Sequence, residues 1–236
     1  MKKIVIIPTY NEADNIKFLL EKINSLGISN LDILIIDDNS PDGTAESVQN
    51  LQKKHNNLFL KTRSGKLGLA TAYREGFAFA LGKGYQAVAQ MDADFSHNPE
   101  KLKLLFEALG KNGLAVGSRY IRGGEIENWD FFRKTLSYFA NLYARLVLKA
   151  PIKDLTGGFN AWKADCLKKI PLEKINSVGY VFQVELKYWA LKKGCSFREI
   201  PIVFQERSDG DSKFQIAIIW EAFYKILQLR FRKKRP

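Results

Sequence analysis

Apolar positions along this chain keep switching between two periods. Residues 3–9 read as a first β-strand. Residues 12–26 then place Ile16, Leu19, Leu20, Ile23 and Leu26 on one helical face, which Gly27 closes. Residues 31–38 are almost continuously apolar, the pattern of a parallel strand buried on both faces. The turn NSPDGT feeds a helix to about His55, residues 58–63 form a third strand, and residues 67–81 an Ala-rich helix. A fourth strand covers 87–92, a helix 99–109 and a fifth strand 114–118.

The second half is less regular. Residues 129–149 predict a long amphipathic helix with Phe132, Leu136, Phe139, Tyr143 and Leu146 recurring along it. The segment DLTGGFNAWK, a helix near 180–193, the strand FREIPIVF and a final helix from about 213 to 230 follow. Strands alternating with helices predict an α/β fold, an open and mostly parallel sheet with helices on both faces. There is no linker-like composition and no internal repeat, so one domain is expected over 1–236. In such sheets ligands lie beyond the carboxyl ends of the strands. Here those ends read PTYNE, DDNSPDGT and DADFSH, all polar and acidic.

Composition narrows the partners. The 236 residues are 46% hydrophobic and 26% charged, an ordinary globular balance. With 37 Lys and Arg against 25 Asp and Glu, the formal charge is +12, which favours nucleotides, nucleic acid or an acidic membrane face. Acids gathered at the strand ends would repel a nucleic-acid backbone, so no nucleic-acid partner is expected. Cys166 and Cys195 stand in unlike contexts and suggest neither a disulfide framework nor a metal site. The opening MKKIVIIPTYNE is too short in its apolar part for a signal peptide, and no window is long and apolar enough to span a bilayer. A cytosolic protein is expected.

The chemistry concentrates in MDADFSHNPE. Asp92 and Asp94 stand one residue apart at the end of an apolar run. Two acids there lose hydration and repel each other, so they call for a counter-charge. Mg²⁺ is typically held by one or two carboxylates plus phosphate oxygens, which points to a metal-assisted diphosphate site. The alternative is a turn whose acids cap the next helix.

Each remaining motif also has two readings. In PTYNE, Tyr10 and Glu12 line a nucleotide pocket, or Asn11 caps a helix. Asp37 and Asp38 bond a ribose or base, or one of them caps the next helix. Arg119 of GSRY and Arg133 are phosphate clamps or surface salt bridges. The paired glycines of TGGF suggest close approach to a ligand or neighbour, with Asp154 just before them a structural cap. Arg207 and Lys213 in RSDGDSKF close on a diphosphate, or belong to a solvated basic loop. His97, beside the acid pair, either supports it from behind or does not take part.

Taken in order, PTYNE, IDDNSPDGT, KLGLATAY, MDADFSHNPE, GSRY, WDFFRKTLS, DLTGGF, GYVFQVE and EIPIVFQERSDGDSK resemble the motifs of dolichyl-phosphate (polyprenyl-phosphate) mannosyltransferases, family-two inverting glycosyltransferases of the GT-A fold. The resemblance runs nearly to Lys213. It implies transfer of mannose from GDP-mannose to a polyprenyl or dolichyl monophosphate, with Mg²⁺ or Mn²⁺ as cofactor. It implies that Pro8, Tyr10 and Glu12 line the nucleotide pocket, with Ile36 and Asp38 at base and ribose. Asp92, Ala93 and Asp94 fall at ribose, sugar and metal, with Asp94 the direct ligand and Ser96 beside it. Arg119 and Arg133 face the lipid phosphate, and Arg207 and Lys213 hold the donor diphosphate.

On this reading residues 1–120 bind the nucleotide sugar and 121–213 the acceptor. The amphipathic, basic tail 214–236 meets a membrane surface or a small membrane-anchoring subunit, and the enzyme sits peripherally on the cytosolic face. Three positions depart from the family pattern. Asn160 stands where TGGF usually continues with a basic residue, Ala70 replaces a glycine, and Asp211 replaces a small or basic residue. The alternatives are a related glycosyltransferase using UDP-glucose or another donor with a glycan or other lipid acceptor, for which Asp154 or Glu185 are conceivable bases, and a non-catalytic nucleotide-binding subunit.

Overall fold

The computed structural model describes residues 1–205 and 216–231, with side chains for 1–205 and 223–231. Its strands are β1 (Lys3–Thr9), β2 (Leu31–Asp37), β3 (Leu58–Thr62), β4 (Ala87–Gln90), β5 (Leu114–Ser118), β6 (Glu125–Glu127), β7 (Asn160–Lys163), β8 (Phe197–Pro201) and β9 (Val203–Gln205). Seven of them form one sheet in the order β3-β2-β1-β4-β7-β5-β8, and β6 pairs with β9 in a second. The helices are α1 (Ala13–Ser25), α2 (Thr44–Gln52), α3 (Leu69–Gly82), α4 (Lys101–Ala108), α5 (Phe131–Leu148), α6 (Ala164–Leu167), α7 (Gly179–Lys192) and α8 (Ile216–Phe231).

Alternate side chains of β1 and β2 feed two cores. Ile4, Ile6, Leu34 and Ile36 meet Tyr73 and Phe77 of α3 and Phe182 of α7. Val5, Ile7, Ile33 and Ile35 meet α1 and α4 on the other face. Burial on both faces is why these strands carry no polar alternation. Helix α3 lies so close to β1 that a side-chain carbon at Gly76 would come within 2.6 Å of Ile6.

One strand runs against the others. β7 is antiparallel to both β4 and β5, between which it lies. Its first residue, Asn160, therefore pairs with Gln90, the last residue of β4. The segment leading into β7, DLTGGF, is carried to the edge where the parallel strands end. Both halves of the chain thus contribute to one sheet.

Several expectations need correcting. The fourth strand stops at Gln90, which leaves Asp92 and Asp94 in a loop. FREIPIVF is not one strand. It breaks at Ile202, where the chain leaves β5 for β6. Asn11 does not cap α1; Asp42 of the NSPDGT turn accepts from the Ala13 amide, 2.9 Å. Nor does Asp37 or Asp38 cap α2, since Asp42 also accepts from the Thr44 amide.

The helix at 131–148 presents an unexpected face. Phe132, Phe139 and Leu146 of the predicted stripe are exposed at 74%, 56% and 68%. The buried positions are Asn141, Ala144 and Leu148. Finally, Cys166 and Cys195 form a disulfide, which joins α6 to the turn before β8. The sequence places them 29 residues apart and only the fold brings them together.

Candidate functional site

The ends of β1, β2 and β4 meet at one edge of the sheet. Because β1, β2 and β4 are parallel, their C-terminal loops sit side by side, and those of β1 and β2 are bonded together. Thr9 Oγ1 donates to Asp37 Oδ1, 2.8 Å. The Asn11 amide donates to Ser40 Oγ and the Glu12 amide to Thr44 Oγ1, at 3.0 and 2.9 Å. PTYNE and NSPDGT therefore form one rigid wall. Asn11 and Asn39 hold left-handed backbone there, which asparagine tolerates.

On this wall Tyr10 is exposed and Lys66 stands over its ring, 3.9 Å from the centroid. Pro8 and Glu12 are half-buried and Ile36 is fully buried under the wall. Asp38 is buried too, and its carboxylate is engaged. It pairs with Arg63 and accepts from the Gly68 amide, 3.0 Å. Arg63, which closes the third predicted strand, belongs to no motif in the sequence. It also reaches Thr71 Oγ1, 2.6 Å, so it ties the second loop to α3.

The acid pair lies on the loop after β4. Asp92 Oδ1 accepts a bond from Tyr73 Oη, 3.0 Å, and its backbone amide donates to His97 Nδ1, 3.3 Å. Burial pushes the Asp92 carboxyl above its ordinary pKa, and Asp94 adds to this, while His97 and Tyr73 oppose it. Its side chain keeps one-third of its surface in solvent, so a ligand can reach it. Tyr73 is held well above its ordinary pKa, first by burial and then by Asp92, so it stays a proton donor. His97 is buried, and loss of hydration lowers its pKa while Asp92 pulls the other way. Phe159 stacks on that ring at 4.9 Å.

Asp94 accepts from the Ser96 amide, 3.0 Å, across Phe95, whose φ is +59°. A phenylalanine in left-handed backbone is strained, and such strain persists where surrounding contacts enforce it. Ser96 Oγ is buried and has no hydrogen-bond partner. Among the described residues no cluster of three or more His, Cys, Asp or Glu could hold a metal ion. Two carboxylates and an unpartnered hydroxyl fit an ion that takes its remaining ligands from phosphate oxygens and water.

Arg119 follows β5 and Arg133 lies in the first turn of α5. Arg119 is not a free clamp. It is buried and forms a bidentate pair with Asp154, at 2.8 and 2.9 Å, and also reaches Thr156 Oγ1, 2.8 Å. Asp154 is no simple cap, since it additionally accepts from the Arg119 and Gly157 amides. Burial opposes its ionisation, but Arg119 wins and holds the carboxyl well below the usual range. Glu185 is likewise buried and accepts from Ser177 Oγ, 2.6 Å. Neither carboxylate is placed as a base.

Arg133 lies over Trp129, 4.2 Å from the ring centroid, and Trp129 meets Phe204 edge-on at 5.6 Å. Arg119 stands 5.6 Å from the same Phe204. The two arginines thus share an aromatic wall. Tyr180 stands exposed at the head of α7.

Gly158 closes the floor. A side-chain carbon there would touch Asp92 Oδ2 and Gln183 Nε2 at 3.7 Å and His97 Cε1 at 3.8 Å. Gln183 Nε2 is buried without a hydrogen-bond partner. Gln183 and Tyr73 both fall within quoted motifs, GYVFQVE and KLGLATAY, but no spacing rule marks them. Both come from helices the sheet sets against the acid loop. Arg207 and Lys213 lie outside the described residues.

Comparison with known proteins bears on this site. The family model "Glycosyl transferase family 2" matches residues 4–170. The chain is 39% identical over 233 residues to the polyprenol monophosphomannose synthase of Mycolicibacterium smegmatis, covering 98% of this chain and 88% of that protein. It is 38% identical over 222 residues to the undecaprenyl-phosphate mannosyltransferase of Micrococcus luteus, covering 94% and 91%. Among solved structures, glucosyl-3-phosphoglycerate synthase from Mycobacterium tuberculosis with UDP superposes at a TM-score of 0.71 with 16% identity, covering 98% of this chain and 80% of that one. The same enzyme with Mn²⁺, UDP-glucose and phosphoglyceric acid superposes at 0.69 with 16% identity, covering 97% and 79%. At that identity the likeness is one of fold, and the fold is GT-A-like.

Proposed function

The chain belongs to glycosyl transferase family 2 and is a glycosyltransferase, and on that premise we propose that it moves mannose from GDP-mannose to a polyprenyl monophosphate with inversion at the anomeric carbon. Residues 1–120 supply the nucleotide-sugar half and 121–213 the acceptor half. The observation that carries this reading is the meeting of two charges at one edge: Asp92 and Asp94 on the β4 loop, and Arg119 and Arg133 on the facing aromatic wall. The acids suit a metal-bound diphosphate, and Arg133 suits an acceptor phosphate, with Arg119 held in place by Asp154. Both relatives at 38–39% identity are named for joining mannose to a polyprenyl phosphate.

A phosphate monoester is largely ionised near neutral pH, its second pKa being about 6. It needs no base, in keeping with the engagement of Asp154 and Glu185 by internal partners. Asp94, with Asp92 and Ser96 beside it, would hold Mg²⁺ or Mn²⁺, and such an ion would neutralise charge on the departing nucleoside diphosphate. Pro8, Tyr10, Glu12, Ile36, Asp38 and Ala93 form the nucleotide pocket, with Asp38 kept in place by Arg63. Tyr73 orients Asp92. Arg207 and Lys213 are assigned to the donor diphosphate on the family resemblance alone.

The acceptor lies in a bilayer, and no described helix is long and apolar enough to cross one. Phe131, Phe132 and Phe139, exposed on α5 beside Arg133, suit the interface of a membrane. The enzyme works peripherally on the cytosolic face, held by that surface, by its basic tail or by a small anchoring subunit. Liposome flotation tests this: Phe132→Asp with Phe139→Asp should lose binding, and undiminished binding removes α5 from the interface.

The reaction is tested by incubating the protein with Mn²⁺, a polyprenyl phosphate and radiolabelled nucleotide sugars. Label should enter the organic phase from GDP-mannose. Transfer from UDP-glucose instead would replace the donor, and no transfer from any sugar would favour a non-catalytic subunit.

A further inference from the structure

Lys187 has no place in the site described so far, yet it is among the largest fully buried side chains. A lysine is almost never fully buried without partners. Its Nζ donates to two backbone carbonyls of the segment before β7, Leu155 O at 3.1 Å and Gly157 O at 2.6 Å. The charged groups around it are Asp154 in that segment, Arg119 at the end of β5, and Glu199 on β8.

The carbonyl of Gly157 links Lys187 to the reaction site. It also accepts from Asn160 Nδ2, 3.1 Å, and the same amide reaches Gln183 Oε1, 3.3 Å. Gln183 Nε2 and Asp92 Oδ2 both face Gly158. One buried amino group therefore fixes the carbonyl from which both the floor glycine and Gln183 take their places.

We propose that Lys187 is a positioning residue, whose buried amino group clamps the Leu155–Gly157 turn so that Gly158 and Gln183 stay set against Asp92. It touches no substrate. Loosening the turn would misplace the reacting groups, and a displacement of about 1 Å can cost as much as a hundredfold in rate. The turn has other anchors, Asn141 to the Leu155 amide and Glu199 to the Lys153 and Asp154 amides. Neither of these holds the Gly157 carbonyl, on which only the Asn160 amide joins Lys187. Loss of Lys187 should therefore act locally.

This inference rests on the transferase reading, so its test has an arm without turnover. The full chain and its Lys187→Met variant, which keeps side-chain length and removes the donor, are compared by amide hydrogen exchange and by steady-state kinetics. Exchange at Leu155 and Gly157 should speed up at least about tenfold while the central strands stay protected. With GDP-mannose, Mn²⁺ and a polyprenyl phosphate, kcat should fall about tenfold and the donor KM should stay within about twofold. Unchanged exchange at the turn with unchanged kcat overturns the proposal. So does faster exchange spread evenly over all strands, which would make Lys187 a general stabiliser. Should Lys187→Met not fold, Lys187→Gln, which retains an N–H donor, takes its place and should show a smaller change at the same amides; a change elsewhere instead counts against the clamp. If the wild type transfers no sugar, the functional reading fails and the exchange arm still decides the role of Lys187.

Discussion

The hydroxyl of Tyr73 stands 3.0 Å from Oδ1 of Asp92. One residue comes from the middle of α3 and the other from the loop after β4, and the bond joins a proton donor to a carboxylate whose partner acid is two residues away. It sets which way Asp92 presents its other oxygen, the one that faces Gly158.

Tyr73→Phe removes the hydroxyl and leaves the ring stacked with Phe182. Hydrogen bonds to charged groups contribute about 1.5–3 kcal/mol, so kcat/KM should drop roughly ten- to a hundredfold. Steady-state kinetics with saturating Mn²⁺ would measure this. An unaltered kcat/KM would mean that Asp92 does not depend on Tyr73.

Asp94→Asn should abolish metal-dependent donor binding, and Ser96→Ala should weaken it only several-fold. Calorimetric titration of GDP with and without Mn²⁺ separates the two. Equal GDP binding by Asp94→Asn and wild type, in the presence of Mn²⁺, would remove Asp94 from the metal site.

Arg119→Met leaves Asp154 buried without its cation, and breaking a buried pair from one side costs about 3–5 kcal/mol. Urea unfolding should show a loss of that order. The double variant Arg119→Met with Asp154→Leu should recover much of the stability while remaining inactive. Recovered activity would show that the arginine serves the fold alone.

Burial depresses the Lys187 ammonium to about 7, against the pull of Asp154, while an unfolded lysine titrates near about 10.4. Between these values the unfolded chain binds the extra proton, so this group makes the fold more stable as pH rises and less stable as it falls towards 7. Relative to Lys187→Met, the wild type should gain up to about 1.4 kcal/mol per pH unit between pH 8 and 9. Urea melts of both proteins at the two pH values test it, and parallel stabilities would show a lysine that stays charged.

The Cys166–Cys195 disulfide closes a stretch of 29 residues. Chain-entropy reasoning gives such a crosslink about 3–4 kcal/mol. Thermal melts with and without reductant should differ in Tm, and the Cys166→Ser, Cys195→Ser double variant should match the reduced protein. Identical melts, with free thiols found in the untreated protein, would mean that the bond does not form.

Local pattern was enough for β1, β2 and β5, because a strand buried on both faces has no choice but to be apolar throughout. It also set Asp92 and Asp94 at the end of the fourth strand, and the structure has them just after it. It misjudged α5, where Phe132, Phe139 and Leu146 repeat at helical spacing but face outward. Periodicity reports that a face is apolar and is silent about what covers it. Asn11 failed as a cap for a related reason: the capping group, Asp42, comes from a neighbouring loop.

Which residues lie together was settled elsewhere. By itself the chain determined an alternating α/β order, acids at the strand ends and a basic surplus, because these follow from composition and spacing within a few residues. Only the tertiary structure decided that β7 would run backwards between β4 and β5 and bring Gly158 to Asp92. The same holds for Arg119 pairing with Asp154 across 35 positions and for Lys187 reaching Gly157 across 30. A buried charge needs a partner, but its identity depends on which distant segment the sheet order sets beside it, and no local pattern encodes that.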